Sequence, residues 1–245
     1  MKIEDKKLTY RLFGKKAMFT DPITRDSEKT SYGVPTYSAL VGITESIYWK
    51  PSIQYVIDEV RIINKIKKEE QATTWDKFKN NKSDEYVGLG LSYYTYLIDV
   101  EYEVKCHMIW NENFKSTKEN DDKPQKHWDI FKRALKNGGR KPIFLGTSEC
   151  NIAYVEPLDN YGEKESYYDG VELDFHTMFH SFDYPTLSNP TTFNINLSNI
   201  KVIDGKLIFE KKENCIKRKI KGVKLDTSTN DILYSRAKDL VEWGN

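Results

Sequence analysis

Lys126-His127 and Tyr48 are residues whose types suit acid–base chemistry and whose places suit presentation of a side chain. Over the stretch Gln125–Asn137 the spacing predicts a helix, and on its wheel His127 falls among Ile130, Phe131, Ala134 and Leu135. Two readings follow. In one, His127 is a first-turn residue packed against the core. In the other, the apolar neighbours hold the ring with its edge at the helix mouth. Free N–H groups and the helix dipole would draw a phosphate there, and Lys126 would add a point charge. Tyr48 closes another predicted helix, from N-cap Thr36 to Tyr48 or Trp49, stopped by Pro51. At 100° per residue it lies at the edge of the Leu40, Ile43, Ile47 stripe, with its hydroxyl toward solvent or a ligand. The same spacing fits an ordinary crossover helix with an interfacial Tyr. His, Tyr and Lys suffice to cut RNA without a metal, because RNA brings its own nucleophile. The reaction needs a base near the 2′-OH, an acid near the leaving 5′ oxygen and a cation for the phosphorane.

Other constellations are weaker. His176-Thr-Met-Phe-His180 has the i, i+4 spacing of a helical metal pair, with Asp174 and Asp183 as further ligands. It lacks the intervening Glu of a zincin, and no Cys is near, so no metal is expected. Gly138-Gly-Arg-Lys-Pro and Gly88-Leu-Gly match neither a P-loop nor a dinucleotide fingerprint, and no Gly-x-Ser-x-Gly elbow is present. No cofactor is expected. Charge is segregated: Lys211–Lys224 is strongly basic against Glu213 alone, and Glu149–Asp174 is strongly acidic against Lys164 alone. The strips suit either two solvated surfaces or a subunit that meets RNA on one side and something else on another. Phosphate contacts are expected from Lys217, Arg218, Lys219 and Lys221, and from Arg61 and Lys65, together with aromatic stacking on bases.

The elements that must position these residues can be read from periodicity. Residues 8–13 read as a strand closed by Gly14, followed by a polar loop to Pro35 and then the Tyr48 helix. Residues 53–63 read as a strand with Val56, Val60 and Ile62 on one face and Tyr55, Glu59 and Arg61 on the other. Residues 64–90 are a charged excursion, a mobile hairpin or loop. From Tyr94 to Trp110 every even position is apolar or aromatic, which predicts one buried and one wet face and a bend within so long a strand. After a polar loop at 111–124 come the His127 helix, ended by Gly138-Gly139, and a strand region at 142–157. The order is β-α-β…β-α-β, an α+β ferredoxin-like fold with two helices on one face of an antiparallel sheet, an architecture shared with RNA-recognition modules. Residues 1–157 make this domain. Residues 158–245 make a small β-rich one, with a hairpin turn at Asp204-Gly205 and a final helix at 230–243.

The 245 residues carry sixteen Tyr, eleven Phe and five Trp at a net charge of only +1. No apolar run is long enough to span a membrane, and the charged start lacks the apolar region of a secretory signal. Cys106, Cys150 and Cys215 are scattered and odd in number, which fits reduced thiols in a cytoplasm.

In order along the chain stand Phe19-Thr-Asp-Pro22, Tyr32-Gly-Val-Pro-Thr-Tyr37, Glu45-Ser-Ile-Tyr-Trp-Lys-Pro51 and Val56-Ile-Asp-Glu-Val-Arg61. Tyr93-Tyr-Thr-Tyr-Leu97, Asp99-Val-Glu-Tyr102, Ile143-Phe-Leu-Gly-Thr147, Tyr154-Val-Glu-Pro157 and Met178-Phe-His-Ser-Phe-Asp-Tyr-Pro185 follow. In these stretches the chain resembles the CRISPR-associated RAMP-superfamily proteins of Cas family five, subtype I-C (Dvulg). The resemblance implies a ferredoxin-like domain with a small β-rich C-terminal domain. It implies a metal-independent endoribonuclease that cuts the CRISPR repeat in precursor crRNA, leaving a 2′,3′-cyclic phosphate. Such a protein, a monomer when free, stays on the crRNA 5′ handle beside other Cas subunits of the type I-C interference (Cascade) complex. The family's catalytic Tyr and Lys-His pair correspond to Tyr48, Lys126 and His127. Two departures stand out: Ser148 where the family pattern has Arg, and His176 where it has no His. A non-catalytic subunit that caps crRNA is the competing expectation. A DNA nuclease is disfavoured by the 2′-OH argument.

Overall fold

In the computed structural model, the description covers residues 2–22, 24, 28–74, 91–111, 123–184 and 192–220. In chain order the elements are β1 (Leu8–Ala17), α1 (Tyr37–Ile47), β2 (Ile53–Ile62), β3 (Lys67–Thr74), β4 (Leu91–Trp110), α2 (Pro124–Lys136) and β5 (Tyr154–Pro157). They continue with β6 (Glu172–Asp183), β7 (Asn194–Ile203), β8 (Lys206–Ile208) and β9 (Ile216–Lys219). The first half orders its strands β5-β1-β4-β2, all antiparallel. This is the predicted ferredoxin-like arrangement, with β1 and β4 central. β8 then pairs with β2 at Glu59–Arg61 and carries the same sheet into β7 and β6. The predicted final helix at 230–243 lies outside the described residues.

α1 starts where the Thr36 hydroxyl accepts from the Ala39 N–H at 3.3 Å, and it buries Leu40, Ile43 and Ile47 as their spacing requires. α2 starts with Pro124, whose fixed φ and missing N–H suit a first turn. It buries His127, Trp128, Phe131, Ala134 and Leu135. Both helices lie on one face of the sheet. Tyr10 of β1 reaches Thr44 of α1 at 2.8 Å between hydroxyls, and its ring centroid lies 6.5 Å from that of Phe131 in α2.

Several elements differ from their sequence reading. β1 does not close at Gly14 but runs on to Ala17. A Cβ at Gly14 would stand 2.2 Å from Leu145 Cδ1, so this glycine marks a close approach rather than a stop. Of the 142–157 region only the last four residues pair as a strand. The rest folds back on β1, with the Met18 N–H donating to the Leu145 carbonyl at 2.8 Å. β2 changes phase in its middle. A bulge at Asp58 puts Ile57 opposite Cys106 and Glu59 opposite Lys105. Ile53, Tyr55 and Ile57 therefore share the buried side with Val60 and Ile62, and Tyr55 faces the helices, contrary to strict alternation. Part of the charged excursion is β3, which pairs with the first half of β4 from Lys67↔Ile98 to Thr74↔Leu91. Residues 75–90 lie outside the described residues.

The expected wet face of β4 is not wet at Glu101 and Glu103, both buried. Residues 158–169 lie over them. Arg11 pairs with Glu103 at 2.8 Å, Lys164 with Glu101 at 2.6 Å, and the Gly162 N–H donates to Glu103 at 3.0 Å. The predicted bend in β4 falls at Asp99, with φ of 52°. The Asp204-Gly205 turn joins β7 to β8 as predicted, with φ of 54° and 71°, the positive pair that a two-residue hairpin turn requires.

Candidate active site

Tyr48 sits just past the last residue of α1, not in its final turn. Its N–H still donates to the Thr44 carbonyl at 3.3 Å, but its own backbone is extended, with φ −159° and ψ 127°. Pro51 and the Lys50 restriction it imposes end the helix here. An extended residue leaves the 100° progression, so the Tyr48 ring turns inward instead of staying at the stripe's edge. It is fully buried, and its hydroxyl lies 2.9 Å from His127 Nδ1. The hydroxyl therefore meets the imidazole in the interior rather than facing solvent. Tyr55, brought to this side by the Asp58 bulge, donates its hydroxyl proton to the Tyr48 carbonyl at 2.6 Å.

His127 is likewise fully buried. Trp110, at the end of β4, meets its ring edge-on with centroids 5.5 Å apart. Lys126, half-buried, precedes it in the first turn of α2. Lys123 is the N-cap residue and makes no side-chain capping bond. A helix start of this kind leaves first-turn N–H groups to be satisfied by something other than the cap side chain.

The residues after α2 complete the surroundings. The Arg140 and Lys141 N–H groups donate to the Ile47 and Ser46 carbonyls, each at 3.1 Å, tying this turn to the end of α1. The Arg140 guanidinium then sits 4.8 Å from the Tyr48 ring centroid, a cation–π contact. Burial pushes the nearby Glu45 carboxyl up to about 7, opposed by Lys141. Arg140 and Trp110 flank the Tyr48–His127 contact and are not among the residues expected there from the sequence. Arg140 was visible only as part of a glycine turn with no phosphate-loop pattern. A cleft of about 380 Å³ runs beside α2, lined by Lys6, Lys7, Lys132 and Lys136 among others.

The remaining expected site residues are not gathered here. Arg61 is buried beneath the sheet, its guanidinium 2.9 Å from Asp169 and hydrogen-bonded to the Lys164 carbonyl. It is not presented to solvent, because the acidic segment folds back over it. Lys65 is exposed, with its ammonium 5.3 Å from the Tyr167 ring centroid. Lys217, Arg218 and Lys219 make up most of β9 and are exposed. Lys221 lies outside the described residues. His176 and His180 fall on β6, not on a helix, so their spacing does not bring them to one ligand. His176 is exposed with φ of 56°, and His180 is buried against Tyr37, ring centroids 4.2 Å apart. Among the described residues no group of three or more His, Cys, Asp or Glu is placed to hold a metal ion. The three cysteines are unpaired and buried, and burial raises each thiol above its ordinary value.

Residues 7–209 match the family described as CRISPR-associated protein (Cas_Cas5), in its Cas5d form. The chain belongs to the Cas5d family. Two curated relatives are each named CRISPR pre-crRNA endoribonuclease Cas5d. That of Mannheimia succiniciproducens is 27% identical over 217 residues, covering 79% of this chain and 92% of the relative. That of Thermus thermophilus is 27% identical over 195 residues, covering 75% and 76%. Two solved structures have the same fold. A functionally uncharacterized protein from Streptococcus mutans is 36% identical with a TM-score of 0.68, covering 87% of this chain and 97% of its own. A CRISPR-associated protein is 34% identical with a TM-score of 0.69, covering 87% and 96%. Ser148, the departure from the expected Cas5d pattern, is exposed in the turn at 147–150. Among the described residues no helix is long and apolar enough to cross a membrane.

Proposed function

We propose that this chain is a metal-independent endoribonuclease that cuts CRISPR repeat RNA in pre-crRNA and then stays on the crRNA 5′ handle. The observation that carries the reading is the 2.9 Å contact between the Tyr48 hydroxyl and His127 Nδ1, made by residues 79 apart in sequence. Membership of Cas5d, with relatives named as pre-crRNA endoribonucleases, supports it. In the reaction the 2′ oxygen forms a bond to phosphorus and the bond to the 5′ oxygen breaks. The 2′-OH proton goes to a base and the leaving oxygen takes one from an acid. His127 fills one of these roles. In either role Nδ1–H donates to Tyr48: the neutral ring then accepts a proton at Nε2 and serves as the base, and the imidazolium gives up its Nε2 proton and serves as the acid. Lys126 stabilises the phosphorane charge, and Tyr48 positions the imidazole or moves the second proton.

The setting assigned to this activity is cytoplasmic. The protein is a monomer when free and a partner of other Cas subunits in a type I-C Cascade complex when bound to crRNA. Residues 1–157 form the RNA-binding and catalytic domain, and 158–245 the β-rich one. Lys65, Lys217, Arg218, Lys219 and Lys221 contact RNA phosphates.

Complete burial of both rings favours a second reading, in which the pair only braces α1 against α2 and the chain binds crRNA without cutting. Incubation of the purified protein with its own repeat RNA in EDTA separates the two. The ribonuclease cuts the all-ribose RNA and leaves intact a substrate with 2′-deoxy at the scissile nucleotide. His127→Ala, checked for folding by circular dichroism, binds but does not cut. Wild-type protein that binds the repeat RNA and leaves it uncut would establish the second reading, and a His127→Ala protein that cuts as well as wild type would remove His127 from the reaction.

A further inference from the structure

Where β6 ends and β7 begins, three aromatic rings form a cluster. Phe182 and Tyr184 are two apart along β6 and its exit, so they share a face. Phe193 immediately precedes β7. The centroids are 5.5 Å apart for Phe182–Phe193, 5.6 Å for Tyr184–Phe193 and 5.7 Å for Phe182–Tyr184. Tyr184 is 52% exposed, which is much for an aromatic that already has two ring neighbours. The third strand adds charge. Phe182 pairs with Ile195, and Ile195 with Arg218, so these three lie in one row across β6, β7 and β9 and point to one side. Lys217 and Lys219 fall on the reverse side, where Asp183 holds Lys217 at 3.5 Å and Lys212 at 2.8 Å. The aromatic side thus carries Arg218 while the strip's acidic counter-charge is spent behind it.

We propose that Phe182, Tyr184 and Phe193 are a stacking platform for an unpaired base of the bound RNA, with Arg218 on the adjoining phosphate. The inference rests on the reading of the chain as an RNA-binding endoribonuclease and adds to it a second contact surface, on the β-rich part. The chemistry selects the ligand. A stacked aromatic face accepts any base, and a guanidinium in the same row meets the backbone that every base carries, which is how single strands are held without sequence preference. A duplex keeps its bases inside and gains nothing from the rings. An apolar protein segment would use the rings but not the exposed basic strand beside them.

Fluorescence anisotropy with full-length protein and labelled oligouridine, against a blunt RNA duplex, tests the platform. Tyr184→Ala weakens oligouridine binding by about five-fold or more, the lower end of what one stacked base supplies. Tyr184→Phe keeps the ring and the wild-type affinity, and duplex binding is unchanged in both. Arg218→Gln lowers the salt dependence of oligouridine binding by about 0.7 in log–log slope. Repeat RNA held by saturating Tyr184→Ala is cut at the wild-type rate. Oligouridine binding unaffected by both Tyr184→Ala and Phe193→Ala overturns the proposal, as does a defect confined to association with other Cas subunits. Wild-type protein that binds oligouridine but never cuts repeat RNA overturns the ribonuclease reading instead and leaves the platform standing.

Discussion

The Tyr48–His127 contact depends on where α1 stops. One more helical residue would leave the phenol on the helix surface, and the extended backbone at Tyr48 instead drives it under the start of α2. Tyr48→Phe keeps the ring against Arg140 and removes only the hydroxyl. Single-turnover cleavage of repeat RNA should fall by about 10²–10⁴, the range of one acid–base group, with RNA affinity little changed. A fall in affinity with an unchanged cleavage step would assign the hydroxyl a packing role. Glu45, on the same helix, reports on pH. Its folded-state value of about 7 lies above the ordinary 4.5, so the folded protein holds this proton more tightly than the unfolded chain. Its contribution to stability is greatest below about 4.5 and declines as pH rises to about 7. Glu45→Gln should flatten that decline, raising the melting temperature at pH values above this window and leaving it unchanged below. Melting curves across the window check this, and parallel curves for the two proteins would reject it.

Among the elements, α1 and α2 were legible because capping, Pro placement and apolar spacing are local signals. The strands were legible in existence but not in extent. Alternation along β2 gave the wrong face to Tyr55, because one extra residue at Asp58 reverses every later position, and nothing in the local pattern marks a bulge. The 142–153 segment looked like strand for its apolar content, yet it is a loop that packs on β1. Gly146 is its hinge, with φ of +100°, and a Cβ there would stand 1.8 Å from the Met18 carbonyl oxygen. Gly146→Ala should cost about 2 kcal/mol or more of stability in urea unfolding, since both the backbone angle and the space are denied. A variant as stable as wild type would mean the loop docks in some other way.

At the scale of the whole molecule, the acidic 149–174 segment and the basic residues of the first half meet at the back of the sheet. Arg61, 7% exposed, stands between Asp169 at 2.9 Å and the fully buried Glu103 at 3.9 Å. Arg61→Ala should destabilise the protein by about 1.5–3 kcal/mol, the range of a hydrogen bond to a charged group, because Asp169 is partly solvated and Glu103 keeps Arg11. The salt dependence of RNA binding by the folded fraction should stay at the wild-type slope. A shallower slope would show that Arg61 contacts phosphate after all. The sequence by itself determined the two β-α-β units, both helix starts, the Asp204-Gly205 turn and the residue types Tyr, Lys and His, because each is written in neighbouring residues. It also carried, through motifs in order, the family. Only the tertiary structure decided that Tyr48 and His127 meet, that Arg140 covers the phenol and that Arg61 is internal. Those facts depend on helix ends, a bulge and a returning segment that bring distant residues within hydrogen-bond reach, and no periodicity along one stretch encodes a distance to another.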